Sequence, residues 1–261
     1  LITQSFPRLN QYCKIERSEA IVLSARQKRG KSIWMMNILV DMLRKGKKAI
    51  YIDTELPTKK FFHRLLAHIA QVEYRKIRDK TYSFDELARI DSAKGWLKGT
   101  KFVHIYVPVL DDARLISLIK RAYHSYKIDA VFLDYLKANG EHYLDAYKNS
   151  AALGKTLDLM KNYIGGEMNL FVITAVQATA NGDVAFSQNI RRNCSTLLYL
   201  ERKDQKQFES DGGDEYGNMR LTVQDNRNGE IMGDDEYISL TLDGNRCTFK
   251  ESTQPAIREP Y

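Results

Sequence analysis

The run Ala20-Ile21-Val22-Leu23 leads through Ser24 into Ala25-Arg26-Gln27-Lys28-Arg29-Gly30-Lys31-Ser32, and the reading of that junction decides the fold. The second stretch has the form x-x-x-x-x-G-K-S, a phosphate-binding loop with Ala25 in the slot of the usual first glycine. The apolar run reads as a buried strand, and Ile33–Leu43 reads as a helix. A strand, a tight loop and a helix N-terminus together aim backbone N–H groups and a helix dipole at an anion. Ala25 through Ser32 then form a nucleotide cradle. Lys31 reaches the terminal phosphates, and the Ser32 hydroxyl ligates Mg²⁺. With one glycine missing, the loop needs support from the rest of the chain.

Short apolar segments alternate with helical periodicity downstream. Ala49–Asp53, Phe102–Tyr106, Ala130–Asp134 and Leu170–Thr174 read as strands. Lys59–Gln71 carries Phe61, Phe62, Leu65, Leu66 and Ile69 at helical spacing. Asp112–Tyr126 puts Leu115, Ile116, Leu118, Ile119 and Ala122 on one face behind an Asp111-Asp112 cap, and another helix runs from Ala151 to Tyr163. Wholly apolar strands separated by helices predict an α/β fold with a mostly parallel, twisted sheet covered on both faces.

The last quarter changes character. Leu197–Leu200, Met219–Val223, Tyr237–Leu242 and Arg246–Phe249 read as strands, with Asp243-Gly244 as a hairpin turn between the final two. The polar insert Glu201–Asn218 reads as a mobile loop, and Glu251–Tyr261, with two prolines, as a flexible tail. A single domain over residues 1–250 is the expectation.

In an open parallel sheet, ligands bind at the C-terminal ends of the strands. Asp134 ends one strand and suits a Walker B carboxylate that holds Mg²⁺. Asp53-Thr54-Glu55 ends another and offers a carboxylate to orient or deprotonate an attacking water. Gln177, just past the strand 170–174, is placed to sense a terminal phosphate. Three such groups downstream of a G-K-S loop point to a nucleotide triphosphatase.

A net charge of +7 suits a polyanionic partner, although the excess is spread over short clusters rather than one block. Cys13, Cys194 and Cys247 lack metal-ligand spacing and argue for a reducing compartment. The five histidines are scattered and form no ligand pattern. Apolar runs fall short of the roughly 20 residues of a membrane span, and no signal segment opens the sequence. A cytoplasmic protein of a bacterial or phage-infected cell is expected. Beginning at Leu1 rather than Met, the sequence reads as part of a longer chain.

The order of these motifs resembles the C-terminal, RecA-like motor domain of DnaB-type replicative helicases, over about Glu19 to Phe249. Ala25-Arg26-x-x-x-Gly30-Lys31-Ser32 is similar to that family's A-R-P-x-x-G-K-[ST] loop, which also has Ala in the first-glycine slot. Asp53-Thr54-Glu55-Leu56 sits at its S-x-E-M, which puts the catalytic glutamate on Glu55. Leu133-Asp134-Tyr135-Leu136 matches its D-Y-L segment, and Ala175-Val176-Gln177 its strand-end sensor. Gln224-Asp225-Asn226-Arg227-Asn228-Gly229 resembles K-x-R-x-G, which makes Arg227 the arginine finger acting across a subunit boundary.

Two departures stand out. Asp225 replaces the lysine of the finger motif, and the loop after Gln177 reads Val184-Ala185-Phe186-Ser187-Gln188, with Ala180 in an arginine position, where the family contacts DNA. Lys137, Lys148, Arg191 and Arg192 are candidate substitutes, and a phage or mobile-element version of the motor fits the divergence. The resemblance implies ATP and Mg²⁺ as cofactors, hydrolysis at the interfaces of a hexameric ring, translocation on single-stranded DNA, and primase or a helicase loader as partners through an N-terminal domain absent from this sequence. Two alternatives remain open: a RecA-like DNA-binding ATPase of recombination-accessory type, and a nucleotide-bound assembly platform without hydrolysis.

Overall fold

In the computed structural model, which describes residues 2–137, 146–178, 187–233 and 235–254, the strands join in one sheet ordered β3-β2-β4-β5-β1-β6-β7-β8-β9. The chain enters through a short helix α1 (Leu9–Tyr12), strand β1 (Ala20–Ala25) and helix α2 (Lys31–Arg44). β2 (Ala49–Asp53), α3 (Thr58–Ala70), α4 (Tyr74–Asp79), α5 (Phe84–Gly99), β3 (Phe102–Tyr106), α6 (Asp112–Tyr126) and β4 (Ala130–Asp134) follow. α7 (Ala146–Asp158) continues as a π-helical stretch, Leu159–Glu167, into β5 (Phe171–Gln177). After α8 (Ser187–Asn193) come β6 (Thr196–Arg202), α9 (Gln205–Asp211), β7 (Met219–Asn226), β8 (Ile238–Asp243) and β9 (Thr248–Glu251).

The first six strands run parallel and the last three antiparallel; β6, which the sequence groups with the C-terminal strands, pairs parallel to β1, so the change comes one strand later. Strands β1, β2 and β4 are buried along their whole length. They can be apolar on both faces because α2 and α3 pack on one side and α6, α7 and α8 on the other. Asp111 caps α6 as expected, its side chain accepting the Arg114 N–H.

Several segments differ from their sequence reading. The insert Glu201–Asn218 is no loose loop. Asp204 and Gln207 form a reciprocal capping box at the head of α9, and the Lys203 ammonium, buried against Asp211 at 2.8 Å, ties the helix to the sheet. Glu251 does not begin a free tail: it pairs with Leu240 in β9, and Gln254 exchanges hydrogen bonds with the Ser239 backbone. Residues 255–261 lie outside the described residues. Strand β7 runs past the predicted end at Val223 to Asn226, so the finger motif is the end of a strand and the turn after it. Helices α4 and α5 have no counterpart in the sequence reading and pack with α3 in a satellite cluster around Ala67, Ile77 and Ile90.

One buried polar contact fastens the C-terminal hairpin to the helix that follows the phosphate-binding loop. The Asn37 side chain of α2 donates to the Phe249 carbonyl at 3.0 Å and accepts the Phe249 N–H at 3.1 Å. Asn37 is 2% exposed, so its loss strands two backbone groups away from water. Asn37→Ala is expected to lower unfolding free energy by about 2–4 kcal/mol, read from the midpoint of a denaturant titration. An unchanged midpoint would show that this fastening is not needed.

Candidate functional site

Strand β1 ends at Ala25, whose register partner on β5 is Gln177; on the next pair, Asp53 of β2 lies opposite Asp134 of β4. Parallel pairing therefore delivers all the sequence-predicted carboxylates and the sensor glutamine to one edge. A cleft of ≈ 610 Å³ opens there, bordered by Gly30, Lys31, Ser32, Glu55, Asp134 and Gln177.

Gly30 is the turn residue before α2, with φ +92°, a left-handed conformation that disfavours any side chain. A Cβ there would also stand 2.9 Å from the Phe249 ring, because β9 packs beneath the loop. No side chain caps α2, so the amides of its first turn are left to face an incoming anion. Lys31 is 9% exposed, and its ammonium closes onto the Ala25 and Arg26 carbonyls at 3.0 and 3.2 Å. Burial pulls its pKa below the usual lysine value, and Asp134 and Glu55 oppose that pull. Lys28 borders the cleft, while the Arg26 guanidinium bonds the Tyr199 hydroxyl instead.

Asp134 is buried and shares its carboxylate with the Ser32 hydroxyl and the Tyr51 hydroxyl, the latter at 2.8 Å. Desolvation, reinforced by the neighbouring Asp53 charge, pushes its pKa up to about 6. A carboxylate and a hydroxyl, paired and desolvated at the mouth of a cationic loop, are hard oxygen donors that fit Mg²⁺.

The two acidic groups after β2 separate in role. Asp53 is buried and spends one oxygen on the N–H groups of Glu55 and Leu56, at 2.8 and 2.6 Å, while its other oxygen lies 3.7 Å from His104 Nε2. It shapes the turn. Glu55 faces the cleft with its side chain 58% exposed.

Arg227 stands apart from this assembly. Its N–H bonds the Ser195 carbonyl, and the Ser195 N–H bonds the Ala20 carbonyl, at the start of β1. The phosphate-binding loop begins at the other end of that strand, roughly 17 Å away at about 3.3 Å per residue. The exposed Arg227 side chain does not reach its own loop. Its turn is well braced: the Asn226 side chain donates to the Tyr12 and Glu230 carbonyls, and Gly229 passes so close that a Cβ would sit 2.5 Å from Tyr12 O. Asp225 pairs with Arg191 at 2.8 Å, so it does not pin Arg227. Ala180 and Val184–Phe186 lie outside the described residues, as do the side chains of Lys148 and Ser187.

Sequence reading missed Arg64 and Tyr74, which also border the cleft, and gave no role to Tyr135. Its ring centroid lies 5.6 Å from Lys31 Nζ and 5.0 Å from Lys137 Nζ, and its hydroxyl meets Gln177 Oε1 at 3.4 Å. Tyr135 was visible as the residue after Asp134. Arg64 and Tyr74 carry no local signal and enter only because α3 and α4 fold over the loop.

Sheet order, loop and cleft define a RecA-like nucleotide-binding domain. The family described as DnaB-like helicase C terminal domain matches residues 2–251, and this chain belongs to it. It is 24% identical over 252 residues to a probable plasmid replicative DNA helicase of Chlamydia psittaci, covering 92% of this chain and 52% of that protein. Against the replicative DNA helicase DnaB of Buchnera aphidicola subsp. Acyrthosiphon pisum the figures are 22% over 251 residues, 90% and 52%. The chain thus spans about half the length of the curated relatives it matches. Among solved structures, an isolated ATPase domain superposes with a TM-score of 0.79 at 14% identity, over 95% of this chain and 90% of that one. A DnaB-like replicative helicase, solved together with its interactions with primase, also gives 0.79, at 13% identity over 95% and 61%. Among the described residues, no helix is long and apolar enough to cross a membrane.

Gly30→Ala tests the loop geometry. The left-handed strain alone is expected to cost about 1–2 kcal/mol of stability. With the Phe249 contact added, nucleotide affinity is expected to fall about tenfold or more, measured by fluorescent-nucleotide titration. Unaltered affinity would mean that nucleotide does not bind on this turn.

Proposed function

We propose that this chain is the ATP-hydrolysing motor domain of a ring-shaped DNA helicase, with ATP bound between subunits. The observation that carries the reading is the convergence of Lys31, Ser32, Glu55, Asp134 and Gln177 on one cleft at the C-terminal edge of the sheet. Family membership and the match to helicases of the replicative class support it.

In this reading the amides of the α2 first turn and the Lys31 ammonium bind the β- and γ-phosphates. Ser32 and Asp134 would hold Mg²⁺, which would neutralise charge on the terminal phosphates and favour in-line displacement. Glu55, half-exposed at the cleft, accepts a hydrogen bond from the attacking water and takes its proton. Gln177 hydrogen-bonds the γ-phosphate and, through Tyr135, senses its loss. Arg227 is offered to the neighbouring subunit, where a guanidinium stabilises the charge of the transferring phosphoryl group. Its placement at the far end of β1 supports action in trans, since an arginine there cannot serve its own nucleotide. Lys137, Arg191 and Arg192 supply positive charge for a single strand. Primase, whose interactions with one solved neighbour are described, or a loader is a partner in this reading. A cytoplasmic setting suits the three reduced cysteines.

Two variants test the chemistry. Lys31→Ala is expected to abolish hydrolysis and weaken nucleotide binding, whereas Glu55→Gln should leave binding largely intact and slow turnover by about 10²-fold or more. Steady-state phosphate release and nucleotide titration read both. Near-parental turnover in Lys31→Ala would remove this cleft as the active site, and loss of turnover in Asp53→Asn but not Glu55→Gln would reassign the base.

A further inference from the structure

Lys137 stands between two clefts. Its ammonium donates to the Thr54 carbonyl at 3.3 Å and lies 3.6 Å from Glu55 Oε1, above the Tyr135 ring. On the far side of Tyr135 is a second cleft of ≈ 540 Å³, walled by Leu115, Leu133, Leu136, Lys137 and Lys155. Glu55 borders the nucleotide cleft and not this one. The lysine stem therefore lies in one cleft while its charge holds a carboxylate of the other.

The pair is made to part. Lys203 and Asp211, a buried pair, meet at 2.8 Å with side chains 0% and 8% exposed. Lys137 and Glu55 are farther apart and are 25% and 58% exposed. Partly exposed pairs are weak and screened, so a phosphodiester anion arriving at Lys137 competes well for the ammonium. While paired, Glu55 turns an oxygen to the ammonium instead of to a water at the γ-phosphate. Asp111 and Asp112 also face the second cleft. The first is tied to the Arg114 N–H and the second to the Thr156 hydroxyl, and Lys137 and Lys155 are the cations that line the cleft.

We propose that Lys137 is a positioning residue that holds Glu55 off the nucleotide until a phosphate of single-stranded nucleic acid in the second cleft takes its ammonium. Strand binding and hydrolysis are then coupled through one side chain. The proposal rests on the reading above, in which Glu55 orients the attacking water.

The test compares ATP hydrolysis by the parent chain, K137Q and K137R, with and without a single-stranded oligothymidine, over a range of salt. Without oligonucleotide, K137Q is expected to run about two- to fivefold faster than the parent, the scale of a partly exposed ion pair. Its stimulation by oligonucleotide should shrink by the same factor. The magnitude of the log–log salt slope of oligonucleotide binding should fall by about 0.7, the share of one phosphate contact on a single strand. K137R should restore the slow basal rate and the stimulation, which a merely structural role would not require. A K137Q basal rate equal to or below the parent's, with unchanged stimulation, overturns the proposal. A parent chain that hydrolyses nothing, or whose hydrolysis survives K31A, overturns the ATPase reading itself and removes the ground of this proposal with it.

Discussion

Asp53 and Asp134 lie opposite one another on adjacent parallel strands, both carboxylates buried at the end of the sheet. Two desolvated like charges in that position are costly unless each is given partners. Much of the site can be understood as the supply of those partners. Asp53 is satisfied by the turn it shapes, through the Glu55 and Leu56 amides. Asp134 receives the Tyr51 and Ser32 hydroxyls and the nearby Lys31 charge. The residual penalty of burial, with the Asp53 charge beside it, raises the pKa of Asp134. Strain of this kind is common where a fold has been arranged for chemistry.

The same edge is held from below. Strand β9, the last of the sheet, lies beneath Gly30 through Phe249 and is fastened to α2 by Asn37. The antiparallel C-terminal strands are thus part of the phosphate-binding loop's support rather than an appendage. They also carry Arg227, in the turn just past β7, to the opposite end of the sheet. One chain consequently presents the cleft at one end of the sheet and Arg227 at the other. In the proposed ring the two come together, because a head-to-tail interface would set one chain's cleft against the next chain's turn.

Much of this was legible in the sequence because it is local. Short strands apolar on both faces, the G-K-S turn and the carboxylates at strand ends are written in consecutive residues. Helix α5 escaped because only Ile90 and Ala93 of its sixteen residues are buried, which leaves almost no apolar stripe. Its Ser83–Glu86 capping box was the available signal. Helix α9 buries no apolar residue, so its composition reads as loop, and it is held by its cap and by the Lys203–Asp211 pair. The Asp225–Arg191 pair and the Lys137–Glu55 pair could not be read at all. Each joins segments brought together only by strand register, and no spacing rule connects them.

The central claim is that a working site takes Lys31 from one chain and Arg227 from its neighbour. Mixing Lys31→Ala with Arg227→Ala chains, each inactive alone, tests this most directly by phosphate release across a series of mixing ratios. Each mixed interface in one orientation joins an intact loop to an intact finger, so turnover should reappear and peak near equal proportions, while the parent's specific activity rises with concentration. A mixture no more active than its two components, with parental specific activity independent of concentration, would contradict a site shared between subunits.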